Sequence, residues 1–197
     1  MNDFWDQRYS SEEYIYGIEP NGFFKEQIDK INSGKILLLG EGEGRNAVYA
    51  AKNGWEVDAV DFSRQAKIKA EKLAEKNSTA INYLVKNISD YIPPKDYYDV
   101  VGLIFLHLNP ELRRLVHLNV IASLKKDGKI ILESYSKDQL TKTTGGPKNQ
   151  ELLYLLNDIK KDFNNLNLIV LEETSENISE GKYHSGEASI IKMVASK

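Results

Sequence analysis

Lys35-Ile-Leu-Leu-Leu-Gly-Glu-Gly-Glu-Gly-Arg-Asn46 is the stretch around which the rest of the chain is arranged. Ile36 to Leu39 is an unbroken apolar run, the pattern of a parallel strand buried on both faces. Glycines follow at Gly40, Gly42 and Gly44, and the residues from Arg45 then read as a helix ending near Asn53-Gly54. A strand that turns through glycines into a helix lets backbone come close to a ligand, because no Cβ intervenes. It also aims the helix N-terminus at that ligand.

The next strand narrows the ligand. Trp55-Glu-Val-Asp-Ala-Val-Asp61 ends in a carboxylate 17 positions after Gly44. An acid at that strand tip accepts hydrogen bonds from both hydroxyls of an adenosine ribose, in a dinucleotide fold as well as elsewhere. The glycine spacing here is G-x-G-x-G, not G-x-G-x-x-G, and Glu41 and Glu43 stand between the glycines. Carboxylates there repel a pyrophosphate and suit an ammonium or sulfonium cation. S-adenosylmethionine is therefore favoured over NAD; a tight turn with no ligand is the competing reading.

In these features the chain resembles the class I S-adenosylmethionine-dependent methyltransferases, and within them the small TehB-like bacterial group. The matching segments are Phe4-Trp-Asp-Gln-Arg-Tyr9, Tyr16-Gly-Ile-Glu-Pro-Asn21, Leu39-Gly-Glu-Gly-Glu-Gly-Arg-Asn46, Ala59-Val-Asp-Phe-Ser63, Asp127-Gly-Lys-Ile-Ile-Leu-Glu133 and Thr144-Gly-Gly-Pro147. The resemblance implies a Rossmann-like three-layer αβα sandwich with a seven-stranded, mostly parallel sheet and an antiparallel last strand. It implies one methyltransferase domain over residues 1–197, with 1–32 as a helical cover and 33–197 as the core. It also places Trp5, Arg8 and Tyr9 near the bound cofactor, and Asn87 at the adenine amino group with the Ile88 backbone beside the ring. The chain departs from the superfamily two residues before the first glycine, where an acid is usual and Leu38 stands. Glu41 is expected to supply the missing carboxylate for the methionine amino group. For the acceptor the resemblance suggests a small molecule, tellurite-type oxyanions being known for relatives.

Composition sets outer limits. A chain of 197 residues with 41% hydrophobic content fits one domain with a real core. Its net charge of −3 gives no general pull toward nucleic acid or an anionic membrane. No cysteine is present, which removes disulfides, thiolate metal sites and thiol catalysis. The acidic N-terminus does not read as a signal peptide, and no apolar run approaches the ~20 residues that span a bilayer. The expectation is a soluble, cytoplasmic monomer or homodimer acting on a small molecule, without nucleic-acid or membrane partners.

Other candidates lie along the rest of the chain. Arg8 matches a methionine carboxylate in two-point geometry, and Trp5 and Tyr9 wall off water near the sulfonium. A helix is expected over Phe23 to Ile31, and Phe62 is expected either against the adenine or in the core. Ser63 opens a helix to Lys76 whose charge run reads as solvated. Tyr98 to Phe105 is a strong fourth strand, and Phe105 at its tip is expected to border the cofactor. His107 follows, where ligands gather at the C-terminal strand ends; it reads as a base, a substrate anchor or a turn residue. Arg113, Arg114 and His117 on the helix from Pro110 read as surface. A polar loop over Ser136 to Lys148 precedes a helix expected over Glu151 to Phe163. The last two strands are expected over Leu166 to Thr174 and Ala188 to Ala195. Their connection, Glu180-Gly-Lys-Tyr-His-Ser-Gly186, brings Tyr183 and His184 toward the substrate side together with Tyr135. No ligand spacing for a metal is found. A protein or peptide (lysine) methyltransferase and a non-catalytic S-adenosylmethionine-binding protein remain the alternative readings.

Overall fold

The computed structural model describes residues 2–181 and 183–197; Met1 and Lys182 lie outside the described residues, as do the side chains of Asn2, Asp3 and Phe4. One sheet holds β1 (Lys35–Leu39), β2 (Glu56–Asp61), β3 (Asn82–Val85), β4 (Tyr98–Ile104), β5 (Leu124–Tyr135), β6 (Asn167–Ser179) and β7 (Ser185–Ser196). Their order is β3-β2-β1-β4-β5-β7-β6. Strands β1 to β5 pair in parallel, and β7 runs antiparallel to both β5 and β6. This is the sheet expected from the sequence.

Alternation along the strands feeds two cores. Leu37, Leu39, Val101, Leu103 and Leu132 point to one face, against Val116 and Val120 of α5 (Pro110–Ser123) and Ile159 of α6 (Leu156–Asp162). Ile36, Leu38, Val57, Ala59, Val100 and Ile131 point to the other. There they meet Phe24 of α2 (Gly22–Ile28), Ala47 and Ala50 of α3 (Arg45–Lys52) and Ala70 of α4 (Arg64–Lys76). Both faces of β1 and β4 are thus dry, which is why those strands read as continuous apolar runs. A further helix, α1 (Asn2–Tyr9), is tied to the start of α4, where Ser63 Oγ donates to Asp6.

Several sequence expectations change. The helix expected over 23–31 ends at Ile28, and Asn21 caps it by accepting from Phe24 N at 2.8 Å. The helix expected from Glu151 starts only at Leu156, because Tyr154 is drawn into a bridge with Ser136 and donates its N–H to Tyr135 O. The polar loop after β5 carries a 3₁₀ turn, Lys137–Thr141, and buries Gln139 and Thr144. Arg113 and His117 are not surface residues; both are buried against Asp162, at 2.8 Å each. Lys69 leaves the solvated face of α4 and is buried under the N-terminal segment. The β6–β7 hairpin extends past its apolar stretch as far as Ser179 and Ser185, held by the backbone ladder. Since Tyr135 at the end of β5 pairs with Ile190, the hairpin tip overhangs that strand end.

Candidate functional site

The chain runs outward in opposite directions from β1 and β4, so their C-terminal ends flank the crevice where open α/β sheets hold ligands. The glycine loop lies there. Gly40, Gly42 and Gly44 all have positive φ (67°, 61° and 88°), a conformation other residues adopt only at a cost. At Gly42 a Cβ would stand 2.9 Å from Tyr9 Oη, so α1 sits directly over the loop.

Asp61 ends β2 beneath this loop. Its Oδ2 accepts from Gly42 N at 3.1 Å and its Oδ1 from Ser63 N at 2.9 Å. Burial raises its pKa, and those N–H bonds work the other way. The two glutamates of the loop have separate tasks. Glu41 turns into the N-terminus of α3, accepting from Ala47 N at 2.7 Å; burial lifts its carboxyl to about 7. Glu43 turns outward to Lys69, 2.5 Å away, and accepts from Ile15 N at 2.8 Å.

The aromatic start of the chain lies over the same place. Trp5 stacks on Tyr9 with ring centroids 5.5 Å apart, and lies 6.4 Å from Tyr16. The Arg8 guanidinium stands 5.2 Å from the Trp5 ring and 4.6 Å from the Tyr183 ring, and donates to Tyr16 Oη at 3.1 Å. On the far side of Asp61, Phe62 is half-buried, Ile88 is buried in the core, and Asn87 is exposed. The Asn87 side chain caps its own turn, accepting from Ser89 N at 3.2 Å.

Phe105, His107, Tyr135 and His184 are brought together from three strand ends. Phe105 follows β4 with φ 51°, a left-handed conformation uncommon for a bulky residue. Its ring lies 4.8 Å from Tyr135 and 4.5 Å from His184. His107 stacks on Tyr135 at 5.6 Å with the planes 8° apart. Tyr16 closes the group, 4.5 Å from His184. Burial, only partly opposed by the bond to Leu152, lowers His107 to about 4. His107 Nδ1 lies 3.1 Å from the carbonyl oxygen of Leu152, which can only accept, so Nδ1 carries the proton and Nε2 offers a lone pair. His184 is lowered by burial too, while Glu180 at 3.8 Å pulls it back up.

A polar chain that sequence reading missed supports this cluster. Asn21 Nδ2 donates to Glu133 at 2.7 Å and to Glu180 at 2.8 Å, and Arg45 pairs with Glu180 at 2.6 Å while donating to Tyr16 O at 3.2 Å. Burial lifts Glu133 to about 7. Burial alone would raise Glu180 as well, but His184 and Arg45 hold it at about 2. Nothing local marked these residues, since Arg45 and Glu180 are 135 positions apart. Tyr154 was also missed: it donates to Leu106 O at 2.6 Å and accepts from Leu108 N at 3.2 Å, pinning the turn on which His107 sits.

These residues fit an adenosyl sulfonium. A glycine cradle with no room for a Cβ, a buried carboxylate beneath it and an aromatic wall beside it supply what a sugar, a close backbone approach and a cation require.

Comparisons with known proteins agree. Residues 36–128 match the family model described as a methyltransferase domain. No curated protein sequence matches the chain. Among solved structures, TehB from Haemophilus influenzae is similar over 100% of this chain, with a TM-score of 0.75 and 18% identity; the chain spans 66% of that protein's length. A SAM-dependent methyltransferase from Aquifex aeolicus is similar over 97% of both chains (TM-score 0.68, 15% identity). The N-methyltransferase NodS from Bradyrhizobium japonicum, in complex with S-adenosyl-L-homocysteine, is similar over 100% of this chain and 97% of its own (TM-score 0.72, 10% identity).

Proposed function

We propose that the chain is a class I methyltransferase with S-adenosylmethionine as methyl donor, a reading supported by the match of residues 36–128 to a methyltransferase domain, and that, as one TehB-like unit with 1–32 covering a core of 33–197, it methylates a small molecule. When bound, the cofactor supplies a methyl group on a sulfonium centre for in-line displacement. The glycine loop and Asp61 hold the nucleoside; Glu41, Asn87, Ile88, Phe62 and Phe105 border it; Trp5, Arg8 and Tyr9 cover it. His107, Tyr135 and His184 line the acceptor side. Such a site chiefly excludes water and aligns the acceptor. His107 Nε2, which keeps its lone pair, receives a proton from an acceptor that carries one.

One observation carries this reading. The glycine loop after β1 and the cluster of Phe105, Tyr135 and His184 lie at one edge of the sheet, with Tyr9 against the first and Tyr16 against the second. Acidic residues beside the aromatic cluster, Glu133 and Glu180, support a second reading, in which a lysine side chain enters. Methyl-labelled S-adenosylmethionine incubated with the protein and fractionated cell extract decides between them. Label is expected in a small-molecule fraction. Label on a macromolecule supports the second reading, and binding without turnover on any fraction leaves a cofactor-binding protein. Among the described residues no helix is long and apolar enough to cross a membrane. A cytoplasmic location and a monomer or homodimer complete the proposal.

A further inference from the structure

Lys69 lies on the outer helix α4, apart from the aromatic cluster, yet it is buried. Its ammonium meets Glu43 at 2.5 Å, Ser11 O at 2.9 Å and Glu13 O at 2.6 Å. Glu43 stands between Gly42 and Gly44, and its second oxygen accepts from the backbone of Ile15 (2.8 Å) and Tyr16 (3.4 Å). Tyr14 Oη donates to Lys69 O at 2.9 Å, and the Lys69 ammonium lies 5.0 Å from the Tyr14 ring. Four backbone groups from one short segment, residues 11–16, thus end on a single buried ion pair, and the Tyr14 hydroxyl bonds the backbone of the same lysine. One member of that pair belongs to the glycine loop itself.

We propose that Lys69 and Glu43 form a clasp between the glycine loop and the N-terminal cover that sets cofactor affinity, with Lys69 as a positioning residue. A buried ion pair costs desolvation and adds little stability over an apolar pair. Here it gives direction, since the lysine donates to two backbone carbonyls while its charge faces the Glu43 carboxylate. The segment it fixes lies between Tyr9, which covers Gly42, and Tyr16, which meets His184 and receives the Arg8 bond. With the clasp closed, α1 is held over the glycine loop; with it open, the cover detaches as a unit. Because coupling is reciprocal, cofactor bound under the cover tightens the clasp by the same factor.

The inference rests on residues 1–32 acting as a cover, and its test separates the two ideas. Cofactor affinity is measured by calorimetry for the unmodified protein and for Lys69→Met, Lys69→Arg, Glu43→Gln, the Lys69→Met/Glu43→Gln double variant and Trp5→Ala. Expected is a loss of about tenfold or more for Lys69→Met, substantial recovery in Lys69→Arg, and a double variant no worse than the poorer single one. For Lys69→Met the acceptor's kcat at saturating cofactor is expected to stay within about threefold, so the defect appears in cofactor KM rather than in turnover. Unchanged affinity in a folded Lys69→Met protein overturns the clasp if Trp5→Ala still weakens binding; if Trp5→Ala is also silent, the cover itself is refuted. Hydrogen exchange in the unmodified protein needs no variant. The amides of Ile15 and Tyr16 are expected to slow about tenfold when S-adenosylhomocysteine is added. Exchange of those two amides unaffected by the ligand overturns the clasp whatever the variants do.

Discussion

His107 is oriented by Leu152: the imidazole Nδ1 and the Leu152 carbonyl oxygen lie 3.1 Å apart, across 45 residues of sequence. The contact fixes which nitrogen carries the proton and which keeps its lone pair. Ser134 Oγ, 3.4 Å from the same nitrogen, adds to the hold. Replacing His107 with Asn keeps a donor near Leu152 and removes the Nε2 lone pair. We expect kcat/KM for the acceptor to fall about 100-fold, with cofactor affinity changed about twofold or less. Because burial holds this imidazole at about 4, the rate in the unmodified protein does not fall on its account as pH drops through 6.5. A loss centred near 6.5 that vanishes in the variant would contradict the assignment.

Asp61 sits under the glycine loop with one oxygen on Gly42 N and the other on Ser63 N. Asp61→Ala is expected to weaken S-adenosylmethionine binding by about 100-fold or more, the scale of two hydrogen bonds to a charged acceptor. Asp61→Asn, which keeps one acceptor oxygen, should fall between. Calorimetric titration measures both. Equal affinity in the alanine variant would remove the nucleoside from this loop.

Glu133 carries a pH signature. Burial lifts its carboxyl to about 7 from 4.5, so the folded chain binds this proton more tightly than the unfolded chain does. The stability it contributes is complete below the unfolded value and is lost as pH rises through 4.5 to 7. Glu133→Gln has no such loss. Urea titrations at acid and mildly alkaline pH should therefore show the variant gaining on the unmodified protein by up to about 3 kcal/mol across that interval. Parallel curves would show that Asn21 and Lys192 keep the carboxylate charged throughout.

Tyr154 is the post under the turn that carries His107. Tyr154→Phe leaves Leu106 O and Leu108 N without their partner, at a cost of about 1–3 kcal/mol in chemical denaturation. The larger effect is expected on turnover: about tenfold in kcat, with cofactor affinity retained, because His107 rides on the released segment. A stability loss without a change in kcat would make Tyr154 a packing residue only.

The parts of this site legible in the sequence are those set by backbone geometry. Gly40, Gly42, Gly44 and Asp61 announced a loop and a carboxylate because their spacing is local, and the loop lies where that spacing put it. The alternation of Leu37 and Leu39 with Ile36 and Leu38 likewise placed β1 in a two-faced core. What stayed hidden depends on long-range partners. Lys69 looks like any solvated lysine on a charged helix until residues 11–16 fold over it. Glu43 looks like a ligand group, yet its charge is met by that lysine. Glu41, expected at the methionine amine, also has a partner that no spacing announces: its Oε1 accepts from Ala47 N at the N-terminus of α3. Arg113 and His117 read as surface because their partner, Asp162, comes from a later helix. The helix expected from Glu151 begins late for the same reason: a tertiary bridge at Tyr154 overrides local propensity.

Three connections interlock over the site through glycines. Gly181 lies against the backbone of Ile15 and Tyr16, Gly145 against the carbonyl of Tyr183, and Gly186 against Thr144. A Cβ at Gly145 would fall 2.1 Å from that carbonyl oxygen, so the fit has no slack. Lengthening the hairpin tip, which touches both of the others, forces them to yield. A hairpin tip grafted from a relative is therefore expected to fold only when the N-terminal segment and the loop after β5 are transplanted with it.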